Sequence, residues 1–436
     1  MVEIILKSKE DIRIRHGHPW VYDNEIARVI GAPDPGDEVE IKDARGLHVG
    51  YAFFNPNSKI RARVYSRTAK HADGEFFTRA FEHAKAWREM HFGSSPRSLR
   101  LVFGEADSVP GLIVDGFWGV PIDAAERSAS AIPEQAPAAA QQNEAPLNIA
   151  APQAPQGAGP FPALWLSVQF LSLGVEARKA VIVEALRKVF NPLGIVERSD
   201  APVRALEGLQ ESTGVLWGTV PERILMDEND ALFEVDLAGG QKTGWFLDQR
   251  ANRRVTARFA PDRRVLDMFC NQGGFSILAA RAGASSVVSV DSSSEALNLV
   301  RSNAARNNVA DRITTVSANA FDYLRDLEKM GQRFDLIILD PPAFAKNRAA
   351  LPGAHRGYKE LNLRAMHLLE RGGILVTFSC SHAFTPAMFD SMLAEAAYDS
   401  NRRLRLIEER TQDLDHPIVV GYEESRYLKC RIVQVL

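Results

Sequence analysis

Arg264-Val265-Leu266-Asp267-Met268-Phe269-Cys270-Asn271-Gln272-Gly273-Gly274-Phe275-Ser276-Ile277 is the stretch on which the fold turns. It reads as a strand, a tight glycine turn and the start of a helix. A second strand follows, Ser286-Val287-Val288-Ser289-Val290-Asp291, and ends in a carboxylate. That order suits a nucleoside-bearing cofactor: glycines let the backbone approach it, and an acid at the second strand's end accepts bonds from ribose hydroxyls. A dinucleotide would need the GxGxxG pattern and free amides for its pyrophosphate, which 271–276 do not supply. S-adenosyl-L-methionine carries no phosphate and fits the turn better.

Two further strands carry candidate chemistry to the same edge of a sheet. Phe334-Asp335-Leu336-Ile337-Ile338-Leu339-Asp340-Pro341-Pro342-Ala343-Phe344 is a buried hydrophobic run that delivers Asp340 to its carboxyl end, where two prolines stiffen the turn and Phe344 is available to stack on a base. Gly372-Gly373-Ile374-Leu375-Val376-Thr377-Phe378-Ser379-Cys380-Ser381-His382 repeats the pattern with a thiol. A free cysteine is most often a small buried hydrophobe, and Cys270 and Cys430 are read that way. Cys380, at a strand end beside Ser381 and His382, suggests a nucleophile. Cytosine C5 is a poor nucleophile, but a thiolate added at C6 makes an enamine able to attack a sulfonium methyl, with Asp340 bonding the N3/N4 edge.

Farther out, the 436 residues exceed the ~250–300 at which one core stops growing, so several domains are expected. Residues 1–75 read as short strands broken by glycine and proline, a small β-barrel; 76–224 as an α+β middle domain; 225–436 as α/β. Residues 124–160 are rich in Ala, Pro and Gln without hydrophobic periodicity, which predicts a disordered segment at about 121–163. Strand-like flanks on both sides make it an insertion at a hairpin tip, expected to be dispensable, rather than a linker. In the barrel, Lys59-Ile60-Arg61-Ala62-Arg63-Val64-Tyr65-Ser66-Arg67 alternates charge with apolar residues, so Arg61 and Arg63 line either a solvated strand face or an RNA-contacting one.

Net charge is −3, so any polyanion must be met by local patches. Three dispersed cysteines make neither a disulfide framework nor a metal site, and no apolar run approaches the ~20 residues of a membrane span. A cytoplasmic protein with no metal and no membrane partner is expected.

Taken in order, these motifs resemble the large-subunit (23S) ribosomal RNA cytosine-5 methyltransferase family. Ile12-Arg13-Ile14-Arg15-His16-Gly17-His18-Pro19-Trp20-Val21-Tyr22 looks like its PUA start, Lys242-Thr243-Gly244-Trp245-Phe246-Leu247-Asp248-Gln249-Arg250 like the signature before its catalytic domain, and Arg356-Gly357-Tyr358-Lys359-Glu360-Leu361-Asn362 and the cysteine strand match as well. The resemblance covers nearly the whole chain. It implies a PUA-like domain and a Rossmann-like class I methyltransferase domain that forms 5-methylcytosine in 23S rRNA, before or during subunit assembly, from S-adenosyl-L-methionine. Cys380 is then the nucleophile and Asp340 its partner. The cofactor positions fall on Asp267, Phe269, Asn271, Gly273 and Asp291, with Asn319 in the adenine-contact region where related enzymes use a carboxylate. Phe344, Lys346, Tyr358, Arg61 and Arg63 are the expected substrate contacts. Family members can be dimeric, which leaves a homodimer open. Many RNA cytosine-5 methyltransferases carry a second cysteine after the Pro-Pro turn for product release; Ala343 stands there, so another base is needed. Two alternatives stay open: methylation of a base nitrogen by the Asp-Pro-Pro-Ala-Phe turn, and a non-catalytic rRNA-binding assembly factor.

Overall fold

A computed structural model describes residues 2–122, 163–240, 243–345 and 347–436. The expected disorder of the Ala/Pro/Gln segment, and Lys346, lie outside the described residues.

Three sheets follow one another along the chain. The first has β1 (Val2–Leu6), β2 (Trp20–Tyr22), β3 (Ile26–Ile30), β4 (Glu38–Lys42), β5 (His48–Phe54) and β6 (Ile60–Ser66), in the order β2-β6-β5-β4-β1-β3. It closes on its own small core of Ile4, Leu6, Val21, Val39, Ile41, Ala52 and Ala62. The basic strand β6 is not an outer strand: it lies between β2 and β5, with Arg63 paired to Trp20 and Phe53. Arg63 is turned onto Glu105 and Glu207, while Arg61 is half-buried.

The second sheet contains β7 (Leu99–Phe103), β8 (Leu112–Pro121), β9 (Ala163–Phe170), β10 (Gly194–Ser199), β11 (Ser212–Gly218), β12 (Arg223–Glu228) and β13 (Ala231–Asp236). β8 and β9 pair antiparallel from Leu112↔Phe170 to Gly119↔Ala163, so the flanks of the inserted segment form a hairpin. The helix Gly74–Phe92 begins at Asp73, whose carboxylate accepts from the Phe76 N–H, and stops at Gly93 with φ +75°. The expected α/β start at 225 falls inside β12. Instead of entering a parallel sheet, β12 and β13 form a hairpin that extends the second sheet through Ile224↔Pro121 and Leu225↔Val120. Its apolar side chains, among them Ile224, Met226, Phe233 and Val235, nevertheless pack into one core with Val265, Ile277 and Ile338 of the third sheet. Asn307 and Asn303 lock it there, accepting from the backbone N–H groups of Leu232 and Glu234.

The third sheet runs β16-β15-β14-β17-β18-β20-β19, where β14 is Arg264–Met268, β15 Ser286–Asp291, β16 Ile313–Ser317, β17 Phe334–Leu339, β18 Leu369–Ser379, β19 Leu404–Arg410 and β20 Lys429–Val435. Strands β14 to β18 are parallel and β20 is antiparallel to β18. Both faces are covered, which is why β17 and β18 read as continuous hydrophobic runs: Leu336, Ile338, Val376 and Phe378 face one core, while Ile337, Leu339 and Leu375 face the other. The strand order reverses between β14 and β17. A crevice outside the carboxyl ends at such a reversal is where open α/β sheets bind ligands.

Candidate active site

The turn after β14 is shaped by left-handed backbone at Phe269 (φ +63°), Asn271 (φ +49°) and Gly273 (φ +83°). Such a conformation is costly for a non-glycine residue and persists only when its surroundings hold it. Here the Asn271 N–H donates to Asp291 Oδ2 at 2.9 Å, the Cys270 N–H to the Val290 carbonyl at 3.0 Å, and Asn303 Nδ2 to the Gln272 carbonyl at 3.0 Å. The glycines answer to close approaches. A Cβ on Gly273 would lie 3.2 Å from both Val300 methyls, and one on Gly274 would lie 2.5 Å from Arg253 Nε.

Beneath the turn, Asp267 is fully buried. Its Oδ2 accepts from Ser276 Oγ at 2.6 Å, and Ser276 in turn accepts from Ser289 Oγ at 2.7 Å. Its Oδ1 has no hydrogen-bond partner. Burial raises its carboxyl to about 7, with the charges of Asp340 and Asp291 adding to the rise against the Ser276 bond. Asp267, Asp291 and Asp340 thus share one electrostatic environment, which favours a bound cation. The left-handed turn, the orphaned oxygen and the three carboxylates fit a donor that carries both an ammonium and a sulfonium.

Asp340 follows β17 and accepts from Gln249 Nε2 at 2.9 Å. Gln249 is itself aimed: its Oε1 accepts from Asn252 Nδ2 at 2.8 Å, and Asn252 Oδ1 accepts from Arg410 Nε at 2.9 Å. The relay leaves one amide orientation, with the donor toward the carboxylate. Cys380, partly buried after β18, has its sulfur 3.9 Å from the Pro341 carbonyl oxygen, so the thiol and the Asp-Pro-Pro turn stand together. Ser381 anchors both: its hydroxyl accepts from the Ala345 N–H at 3.0 Å and lies 2.9 Å from the Tyr358 hydroxyl. Lys429 is 3% exposed and donates to the carbonyls of Ser381 (2.6 Å) and Tyr427 (2.8 Å).

The structure therefore brings Asp267, Phe269, Asn271, Gly273, Asp291, Asp340 and Cys380 to one edge of the third sheet. Other expected residues stand elsewhere or are already engaged. Asn319 caps the helix Ala320–Lys329, its side chain accepting from the Phe321 and Asp322 N–H groups. Phe344 is half-buried against Tyr358, with ring centroids 4.6 Å apart. Tyr358 is fully buried, wedged also against Phe384, so it presents no surface of its own. Arg63 bonds Glu105 at 3.0 Å and Glu207 at 2.9 Å, joining the first sheet to the second. Arg61 donates to the Pro56 carbonyl of its own domain. Sequence reasoning does not single out Gln249, Asn252 or Lys429; the first two lie in or beside the 242–250 motif, and a lysine within the apolar strand 427–433 is itself a signal.

Residues 4–67 match the family model of a PUA-like domain, and residues 210–421 that of an S-adenosylmethionine-dependent methyltransferase. The chain is 37% identical over 435 residues to the ribosomal RNA large subunit methyltransferase I of Tolumonas auensis, covering 99% of this chain and 98% of that protein. It is 35% identical over 437 residues to the protein of the same name from Escherichia coli strain UTI89, covering 99% of each. SMU.776, described as a methyltransferase and solved with SAH, superposes with a TM-score of 0.79 at 20% identity over 100% of both chains. That likeness is one of fold.

Proposed function

The chain belongs to the ribosomal RNA large subunit methyltransferase I family and is an S-adenosylmethionine-dependent methyltransferase, and we propose that it forms 5-methylcytosine in 23S rRNA through a covalent adduct of Cys380. The observation that carries this reading is the meeting of a thiol and a carboxylate at the ends of adjacent parallel strands, Cys380 after β18 and Asp340 after β17, with the sulfur against the Asp-Pro-Pro turn.

S-adenosylmethionine supplies an electrophilic sulfonium methyl. Asp267, Asp291 and the left-handed turn would hold that donor, with Asn319 in the region expected for its adenine. The Cys380 thiolate adds to cytosine C6, the π electrons of the 5,6 double bond move to C5, and C5 would take the methyl as its bond to the sulfonium sulfur breaks, the donor leaving as the neutral thioether S-adenosylhomocysteine. The C5 proton then leaves to water, the C6–S bond breaks, and thiolate and double bond are restored. Asp340 bonds the N3/N4 edge: its carboxylate accepts from the N4 amino group, and a proton taken up from water through the carboxyl is donated to N3 as negative charge develops there and is returned on elimination. The target must leave its stack to reach the thiol, so the substrate is an unstacked or single-stranded stretch of rRNA. Phe344 flanks the base, and Lys346 and Arg61 meet the RNA backbone.

The same reading places the enzyme in the cytoplasm, acting before or during subunit assembly, and leaves a homodimer open. Its test is Cys380→Ala: 5-methylcytidine in rRNA incubated with the full chain should vanish by nucleoside mass spectrometry. Unchanged 5-methylcytidine would remove the nucleophile, and an N-methylated product from wild-type protein would favour base-nitrogen chemistry instead.

A further inference from the structure

We propose that Lys429 is a positioning residue for this centre, its ammonium being the cation that holds the Cys380 sulfur as a thiolate. The inference rests on the cytosine-5 reading and adds to it the group that makes the thiol reactive.

Lys429 opens β20 opposite Ser379, the residue before Cys380. Its two hydrogen bonds go to the Ser381 and Tyr427 carbonyls, which fix the ammonium beside the turn that carries the thiol but bring no charge. A lysine this buried is rare unless paired. Among the described residues, the charge that acts on it is that of Cys380, not a carboxylate. Burial pulls the ammonium down to about 8, and the Cys380 charge works in the opposite direction. Cys270 shows what the same sheet edge does to a thiol with acids for neighbours: burial first, then Asp267 and Asp291, hold it well above the ordinary thiol range.

Several titratable groups face the Cys380 turn. Asp340 follows the neighbouring β17. Tyr358 approaches from the helix Leu351–Leu368, its phenol raised by burial. His382, exposed on the same turn, lies with its ring 5.6 Å from that of Tyr427. Asp340 disfavours a second negative charge, Tyr358 is neutral at physiological pH, and Lys429 is the buried cation among them. Ionisation of the thiol releases its proton to water, while Lys429 keeps its own. The pair then stands as ammonium and thiolate before the base arrives, and is restored when the thiolate is eliminated.

The experiment is the pH dependence of iodoacetamide alkylation at Cys380 in the full chain, read by mass of the Cys380 peptide, so buried Cys270 and Cys430 do not interfere. Wild type should alkylate with an apparent thiol pKa below the ordinary value of about 8.5. Lys429→Met should move that profile upward and slow alkylation at pH 7 about ten-fold, the equivalent of one pKa unit; Lys429→Arg, which keeps the charge, should recover a large part of the rate. A Lys429→Met protein with native near-ultraviolet circular dichroism and an unshifted profile overturns the proposal. Should that variant not fold, a wild-type thiol titrating at or above the ordinary value overturns it equally. Failure of the cytosine-5 reading would appear separately, as 5-methylcytidine still formed by Cys380→Ala, whatever the alkylation profile.

Discussion

Replacing Gln249 tests whether Asp340 is held by the relay behind it. The Gln249 amide is 3% exposed and donates to Asp340 Oδ2 at 2.9 Å, a hydrogen bond to a charged acceptor. Such a bond contributes about 1.5–3 kcal/mol. If it acts by fixing the carboxylate where charge develops on the base, its loss in Gln249→Leu should lower the single-turnover rate roughly 10- to 150-fold. Gln249→Glu should be worse, because it sets a second carboxylate against the first. Asn252→Ala should be milder, about 2- to 10-fold, because it removes a neutral bond that only aims the glutamine. The fold should survive: Asn252 Nδ2 keeps its 3.2 Å bond to the Thr411 carbonyl when Gln249 is gone. The assay is transfer of labelled methyl into an rRNA fragment at saturating S-adenosylmethionine, with cofactor affinity measured by calorimetry and Tm by thermal scan. Gln249→Leu within about two-fold of wild type, or Gln249→Glu as active as Gln249→Leu, would refute the relay.

Gly273→Ala places a side chain at φ +83° and a Cβ 3.2 Å from Val300; strain of about 1–2 kcal/mol should weaken cofactor binding by several-fold or more in calorimetry, and unchanged affinity would detach this turn from the cofactor. Arg88, 2% exposed, bonds both oxygens of Asp107 (2.6 and 2.8 Å) and the carbonyls of Arg100 and Asp415. Arg88→Met leaves a buried carboxylate unpaired and should cost about 3–5 kcal/mol in urea unfolding; a cost below 1 kcal/mol would show the site relaxes freely. The Lys429 ammonium titrates at about 8 in the folded chain against 10.5 ordinarily, so between those values the unfolded chain binds more protons and stability rises with pH. Wild type should gain up to about 3 kcal/mol across that window relative to Lys429→Met; parallel curves for the two proteins would show that the ammonium is not buried in solution.

The third sheet was legible because its physics is local. A parallel strand covered on both faces reads as an unbroken apolar run, and a polar residue just past its end, as at Asp340 and Cys380, marks the ligand edge. The β8–β9 hairpin was legible across the Ala/Pro/Gln segment because strand pairing depends on the flanks. Period-2 alternation, by contrast, says that β6 has a basic face but not what that face meets: Arg63 points at Glu105 and Glu207, the latter 144 residues away. The β12–β13 hairpin is ambiguous to a local reading for a related reason, since it takes its hydrogen bonds from one sheet and its packing from another. Gln249 and Lys429 act on residues 91 and 48 positions distant, contacts that no local pattern encodes.

Near-neutral net charge also acquires a different meaning once partners are visible. Arg88, Arg198, Arg204, Arg250, Arg253 and Arg431 are all buried, Arg63 pairs with carboxylates between the first and second sheets, and Arg100 pairs with Asp115 within the second. These cations hold the fold together and are not available to phosphate. Counting lysine and arginine therefore overstates the charge that RNA can meet, even in a chain whose total is already −3. Affinity for a polyanion scales with the phosphates actually neutralised and the counterions released. The exposed cations must supply that, and the arginine row that looked most like an RNA-binding strand contributes at Arg63 a domain tether instead. On the proposed reading, substrate selection rests chiefly on shape and on access of an unstacked base to the Asp340–Cys380 edge, and the buried Lys429 charge is directed to the sulfur rather than to the RNA.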